Sequence, residues 1–333
     1  MIPRAILKIW IKSSKEHRFR IIRHKHMIHV EKLTKRFGER DIIKGISFGA
    51  QPGEVLGLLG PTGAGKSTLM KMMTGLIPPT SGRVELFGFD VDKQKLQALR
   101  QLGYTPEGAP YYANTSVHWL LDFAADIRGV RGVKKSKRLA RTVEQLELQD
   151  ILQHPIDDLS WEFKQRVGIA QAIIHEPKVL ILDAPTSGLD PDQKQKLHSI
   201  IKLLSEDKTI ILSTTCTAEI AAICSRALVL CDGQLIADNT IPELRKRSRY
   251  HNAVTIVSEQ PLDYLALAVL PGVAGIEEQI DIPGAITLLT KPGATISPKI
   301  NELIAARQWV IKHLTVNPGN LDEVIKSMYE KSN

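Results

Sequence analysis

No stretch of about 18 consecutive apolar residues occurs in the 333-residue chain, so the sequence offers no membrane-spanning helix. Cysteine is scarce. Cys216, Cys224 and Cys231 fall in one segment at spacings that match no zinc pattern, and they read as reduced, mostly buried thiols of a cytosolic protein. His24, His26 and His29 crowd together with no carboxylate or cysteine beside them, so a basic linker entering a strand is expected there, not a metal site. Acid is nearly missing from the first 26 residues, which hold eight Lys/Arg against Glu16. That arm carries +7 of the chain's net +8. The high isoelectric point therefore describes an arm and not a domain, and no nucleic-acid partner is expected.

Within the arm, Ile2, Ala5, Ile6, Ile9 and Trp10 share a helical face, with Lys8, Lys12 and Lys15 elsewhere. Lys8 and Lys12 interrupt the apolar stretch that a secretory signal would need. A basic amphipathic helix suits an anionic membrane surface or a groove in a partner; a solvated tail is the other reading, and both stay open.

The chain is organised around Val55 to Gly75, VLGLLGPTGAGKSTLMKMMTG. An apolar run, Val55 to Leu59, is short enough for a buried strand. Gly60-Pro61-Thr62-Gly63-Ala64-Gly65-Lys66-Ser67 follows as G-x-x-x-x-G-K-[ST], and Thr68 and a helical pattern ending near Gly75 come next. Gly63 and Gly65 let backbone N–H groups turn inward around phosphate oxygens, and the helix start adds its dipole. Lys66 is placed for the β- and γ-phosphates and the Ser67 hydroxyl for magnesium. This stretch predicts binding of a nucleoside triphosphate.

Elsewhere, strands and helices alternate as in an α/β domain with a largely parallel sheet. Strands are expected at 27–33, 42–48, 54–59, 83–87, 178–182 and 209–213, with a hairpin across Asp232-Gly233. Residues 113–176 change character to helical periodicity, and Arg128 to Arg141 holds seven basic residues and no acid, the pattern of a solvated helix face. Beyond the basic stretch at 245–249 the order reads βαββαβ, which is ferredoxin-like, then a last helix from Asn320. Nothing in that unit has catalytic spacing, and it reads as a regulatory or docking domain at 250–333.

Taken together, residues 27–245 resemble the nucleotide-binding subunit of an ABC transporter. Phe37 stands where the family has an adenine-stacking aromatic. Gly60 to Thr68 matches its Walker A loop. Val179 to Asp183 matches Walker B, with Asp183 holding magnesium through water. Ser187-Gly188-Leu189-Asp190-Pro191 matches the D-loop of the dimer interface. The resemblance implies a P-loop NTPase fold at 27–247 with a helical subdomain at about 113–176, ATP and Mg2+ as cofactors, and a membrane permease as partner. The likeness of 250–333 is to the C-terminal domain of some drug- and lipid-exporter ATPases. A peripheral position on the cytoplasmic face of the cell membrane follows from the same resemblance.

Several positions depart from the family pattern. The family's Walker B glutamate, its general base, is Ala184 here, and a methyl group neither accepts a proton nor orients water. The switch histidine position is Thr215. The Q-loop glutamine position is Glu107. The signature Leu-Ser-Gly-Gly-Gln is Leu159-Ser160-Trp161-Glu162-Phe163. Trp161 adds bulk there, and Glu162 sets a carboxylate against an anionic triphosphate unless it turns away. The expectation is a chain that binds ATP, hydrolyses it weakly at its own site, and pairs as a heterodimer with a more complete ATPase in an exporter. The second reading is a non-hydrolysing structural or regulatory subunit of a membrane complex.

Overall fold

The computed structural model describes residues 27–108, 114–279, 282 and 284–332. The arm at 1–26, with every expectation attached to it, lies outside the described residues. So does the first residue of the helical insert, at 113.

Two compact units divide the chain, one reaching Asp238 and the other beginning at Asn239. In the first, an antiparallel sheet has the order β2-β1-β4-β5, from β1 (Ile28–Phe37), β2 (Arg40–Ala50), β4 (Ser81–Leu86) and the short β5 (Phe89–Asp90). A larger sheet has the order β10-β9-β3-β8-β7-β6. Its members are β3 (Val55–Leu59), β6 (Leu102–Thr105), β7 (Val179–Leu182), β8 (Thr209–Thr214), β9 (Arg226–Cys231) and β10 (Gln234–Thr240). β3 runs parallel to both β8 and β9. β7 runs parallel to β8 and to β6. β3 and β7 are buried along their whole length, which is why both read as unbroken apolar runs and not as alternation. Burying Leu56, Leu58 and Leu59 contributes about 2 kcal/mol per side chain before entropy is charged. Asp232 and Gly233 both have positive φ, 45° and 75°, the demand of a two-residue hairpin turn whose twist matches its strands.

α1 (Lys66–Met73) and α2 (Lys95–Leu99) belong to this unit. The helical insert contains α3 (Val117–Ile127), α4 (Gly132–Gln145) and α5 (Trp161–Ile173). α3 starts where Ser116 caps it, the hydroxyl accepting from the Trp119 N–H at 3.2 Å, as such residues do at helix starts. The basic run at 128–141 enters α4 only from Gly132, and part of it is ion-paired: Lys135 reaches Asp122 and Asp126, and Arg138 reaches Glu176. Two further helices, α6 (Pro191–Ser205) and α7 (Thr217–Ile223), return the chain to the sheet. The three cysteines are free. They are half-buried, so the expectation of mostly buried thiols is too strong.

The second unit opens with α8 (Ile241–Arg245). That helix and the basic stretch after it belong here by contact: the Ser248 hydroxyl donates to Glu323. Its sheet, β11 (Val254–Ser258), β12 (Val273–Glu278), β13 (Ala285–Thr290) and β14 (Ile311–Val316), is antiparallel in the order β12-β13-β11-β14, with α9 (Tyr264–Ala268) and α10 (Ser297–Arg307) as the crossovers. That is the ferredoxin-like arrangement. α11 (Leu321–Ser332) closes the chain, and the Asn320 side chain accepts from the Glu323 N–H at 3.2 Å.

Candidate nucleotide site

Parallel neighbours β3, β8, β7 and β6 end on the same side of their sheet, and ligands of open α/β sheets bind outside such carboxyl ends. Leu59 lies beside Thr214, and Leu182 beside Leu212 and Thr105. The residues that follow these strands are therefore brought together: Thr62, Gly63 and Gly65 of the loop, Thr215, Asp183 with Ala184, and Glu107. They border one cavity of about 500 Å3, lined also by Ser67, Thr68, Ser187, Gly188, Lys194 and Glu219.

Between β3 and α1 the loop is shaped by glycine. Gly63 and Gly65 have φ of 86° and 99°, conformations that side-chain-bearing residues rarely hold. A Cβ on Gly65 would sit 2.7 Å from Ile43 Cδ1, and one on Gly60 would sit 2.7 Å from the Leu230 carbonyl oxygen. α1 has eight residues, too few to persist alone in water; its buried Leu69, Met70, Met72 and Met73 hold it in place. Lys66 Nζ donates to the carbonyls of Gly60 and Pro61 at 2.7 and 2.9 Å, so the lysine spans the mouth of its own loop. Burial pulls its ammonium below the usual value, while Asp183 and Glu107 push it back up. Those same two carboxylates, added to burial, raise the Tyr104 phenol to about 12.

At the end of β7, buried Asp183 accepts from the Ser213 hydroxyl at 2.6 Å. Ser213 Oγ in turn accepts from the Ala184 N–H at 2.8 Å. Ala184 has a φ of 46°, costly for an L-residue by about 1 kcal/mol, and that hydrogen bond helps to hold it. Ala184 is among the residues that line the cavity. Thr215 is exposed there without a basic ring. For magnesium, the Ser67 hydroxyl and Asp183 carboxylate supply hard oxygen donors beside the loop, a donor set that fits this ion.

Sequence reasoning passed over Glu219. It is 5% exposed and sits in the first turn of α7. Thr186 Oγ1 donates to it at 2.6 Å, Thr214 Oγ1 also donates to it, and Lys194 Nζ lies 3.5 Å away. The available signal was its place just after β8, at the carboxyl end of a buried strand. Glu219 is a carboxylate in the cavity, yet its oxygens are engaged by two hydroxyls and an ammonium.

Phe37 is 52% exposed at the end of β1, and Lys35 Nζ lies 4.8 Å from its ring centroid. The ring is not among the residues bordering the cavity. Ser160 caps α5, its hydroxyl accepting from the Phe163 N–H at 3.4 Å. Trp161 Nε1 donates to the Ser187 carbonyl at 2.7 Å. Glu162 pairs with Arg166 one turn along α5, and Arg166 also holds Glu147 at 2.6 Å. The Glu162 carboxylate therefore shares one cation with Glu147. Asp190 caps α6 in a capping box, accepting from the Gln193 N–H at 2.9 Å while Gln193 accepts from the Asp190 N–H at 3.2 Å.

A strand, a glycine-rich loop, a lysine at a helix start and a buried strand-end aspartate define a P-loop nucleotide-binding protein. The ABC transporter family profile matches residues 43–187. The linearmycin resistance ATP-binding protein LnrL of Bacillus subtilis is 33% identical over 222 residues, 66% of this chain and 71% of that protein. The bacitracin transport ATP-binding protein BcrA of Bacillus licheniformis is 32% identical over 71% of this chain and 80% of that protein. Against the probable multidrug ABC transporter ATP-binding protein YbhF of Escherichia coli, identity is 36%, but the chain spans only 38% of that protein's length. A solved ATP-binding subunit of an ABC transporter superposes with a TM-score of 0.61 at 27% identity, over 66% of this chain and 92% of that one. The chain belongs to the family of ABC transporter ATP-binding subunits.

Proposed function

We propose that this chain binds MgATP at the cavity below β3 and serves as an exporter-type ATP-binding subunit with weak hydrolysis at its own site. The observation that carries this reading is the convergence of Lys66, Ser67 and Asp183 on one cavity in which position 184 offers only a methyl group. Relatives described as resistance or multidrug proteins support export over import. Gly60, Pro61, Thr62, Gly63, Ala64, Gly65, Lys66, Ser67, Thr68 and Asp183 hold the phosphates and magnesium in this reading, and Phe37, which does not border the cavity, is assigned to the base alone. Glu219 does not replace the missing base, because proton acceptance would compete with the two hydroxyls and the lysine it already serves. Turnover then requires a second ATPase subunit that supplies an intact glutamate, histidine and signature, and a permease completes the assembly. Among the described residues no helix is long and apolar enough to cross a membrane; a peripheral place on the cytoplasmic face is part of the proposal, as is contact of the arm at 1–26 with anionic lipid or the permease.

A second reading has its own support. The Asp183–Ser213–Ala184 and Thr186–Glu219–Thr214 hydrogen bonds brace the cavity as a rigid receptor, which suits a non-hydrolysing ATP clamp. The two readings separate by phosphate release: the chain mixed with its co-purified partner from detergent-solubilised membranes is expected to turn over ATP, whereas a clamp leaves the mixture no faster than the partner alone.

A further inference from the structure

Ser187 and Gly188 form part of the cavity wall. The segment they belong to is fastened inward at Ala184 by Ser213 and at Thr186 by Glu219. Outward, it is fastened by Trp161. The indole N–H donates to the Ser187 carbonyl at 2.7 Å, and the ring lies against Gly188, where a Cβ would sit 3.0 Å from Nε1 and 3.3 Å from Cδ1. Gly188 has a φ of 77° and no side chain, so it leaves the indole room. Trp161 and Gly188 are thus complementary across the two segments.

On its other side Trp161 is the first residue of α5. Val167, Ile169 and Ala170 of that helix are fully buried, and Arg166 fastens it to Glu147. A helix packed in this way moves as a body, so a shift at its first residue is passed along its length. A glycine at 161 would have no side chain to make the bond, and phenylalanine would have no donor.

We propose that Trp161 is a positioning residue that carries nucleotide occupancy of this cavity to the helical insert of the same chain. The proposal rests on the reading that the cavity takes ATP. A ligand that displaces the Ser187–Gly188 wall must either draw α5 with it or break the indole hydrogen bond. Keeping one such bond is worth about fivefold in an equilibrium constant, and that factor is the coupling the tryptophan supplies.

Hydrogen exchange on the full chain, with and without MgATP, tests this in the wild type, Trp161→Phe and Trp161→Gly. In the wild type, ATP is expected to change exchange both at 186–190 and at 161–173. In both variants the wall keeps its response, while the response at 161–173 falls about fivefold. An undiminished response there in Trp161→Phe overturns the proposal. Failure of the wild-type chain to bind a labelled ATP analogue overturns the nucleotide reading instead. A second measurement does not depend on the fold of either variant. With Trp10, Trp119 and Trp309 changed to phenylalanine, Trp161 is the sole indole, and its emission is expected to shift as MgATP saturates the site. Constant emission at saturation, with binding shown by the labelled analogue, also overturns the proposal.

Discussion

The carboxylate of Glu162 is closed onto the guanidinium of Arg166, four residues along the same helix. Arg166 is 3% exposed, and it serves Glu147 as well. Removing the shared cation leaves two acids without their partner, one of them with a side chain only 12% exposed. Arg166→Met is expected to destabilise the chain by about 3 kcal/mol, read as a lower urea midpoint. Glu162→Gln keeps a hydrogen-bonding partner for Arg166 and should cost clearly less. Equal losses in the two variants would show that the pair does not neutralise Glu162.

Lys66→Ala is expected to weaken binding of a fluorescent ATP analogue at least about tenfold, the weight of one charge-assisted hydrogen bond. Equilibrium titration of the purified chain reads this directly. Binding at wild-type strength would remove Lys66 from the phosphate site.

Isolated chain is expected to release phosphate from ATP negligibly. A positioned base commonly supplies a factor of roughly 100–10,000, and position 184 has none. Ala184→Glu alone should restore little, since Thr215 and Trp161 remain. Ala184→Glu with Thr215→His should help only opposite a subunit with an intact signature. Brisk turnover by the unmodified chain alone would sink the reading of a weak own site.

His175 adds a pH dependence unrelated to nucleotide. Burial, then the Arg128 charge, lower its pKa to about 4, against an upward pull from its hydrogen bond with the Leu102 carbonyl. The folded protein therefore keeps the ring neutral to lower pH than the unfolded chain, whose histidine takes a proton near 6.5. Above that value the group leaves stability unchanged. As pH falls from about 6.5 towards 4 the unfolded state binds the proton first and stability drops. Between pH 7 and pH 5 the loss attributable to His175 should be about 2 kcal/mol. His175→Gln should flatten that part of the urea-unfolding profile; an unchanged slope would mean that other groups set it.

Buried strands were legible in the sequence because their apolar runs were continuous: Val55–Leu59 and Val179–Leu182 fall within the expected 54–59 and 178–182, each one residue shorter. The phosphate loop was legible because its glycines are required by backbone conformation, as Gly63 and Gly65 show. Glu219 was not. Its importance comes from hydroxyls at Thr186 and Thr214, the first of them 33 residues away in the chain, and no periodicity reports such a meeting. The pairing of Glu162 was hidden for a related reason. A carboxylate four residues before an arginine on a helix invites a pair, but its proximity to a presumed anion drew the opposite expectation. The second unit was readable as an order of elements, whereas the place of α8 in it depends on contacts such as Ser248 with Glu323.

β3 sits between β8 and β9, whereas β6, which leads to Glu107, lies at the end of the sheet beside β7. A distortion of β3 strains two ladders of hydrogen bonds, and one of β6 strains a single ladder. The lysine side of the pocket is therefore the stiff jaw and the Glu107 side the compliant one.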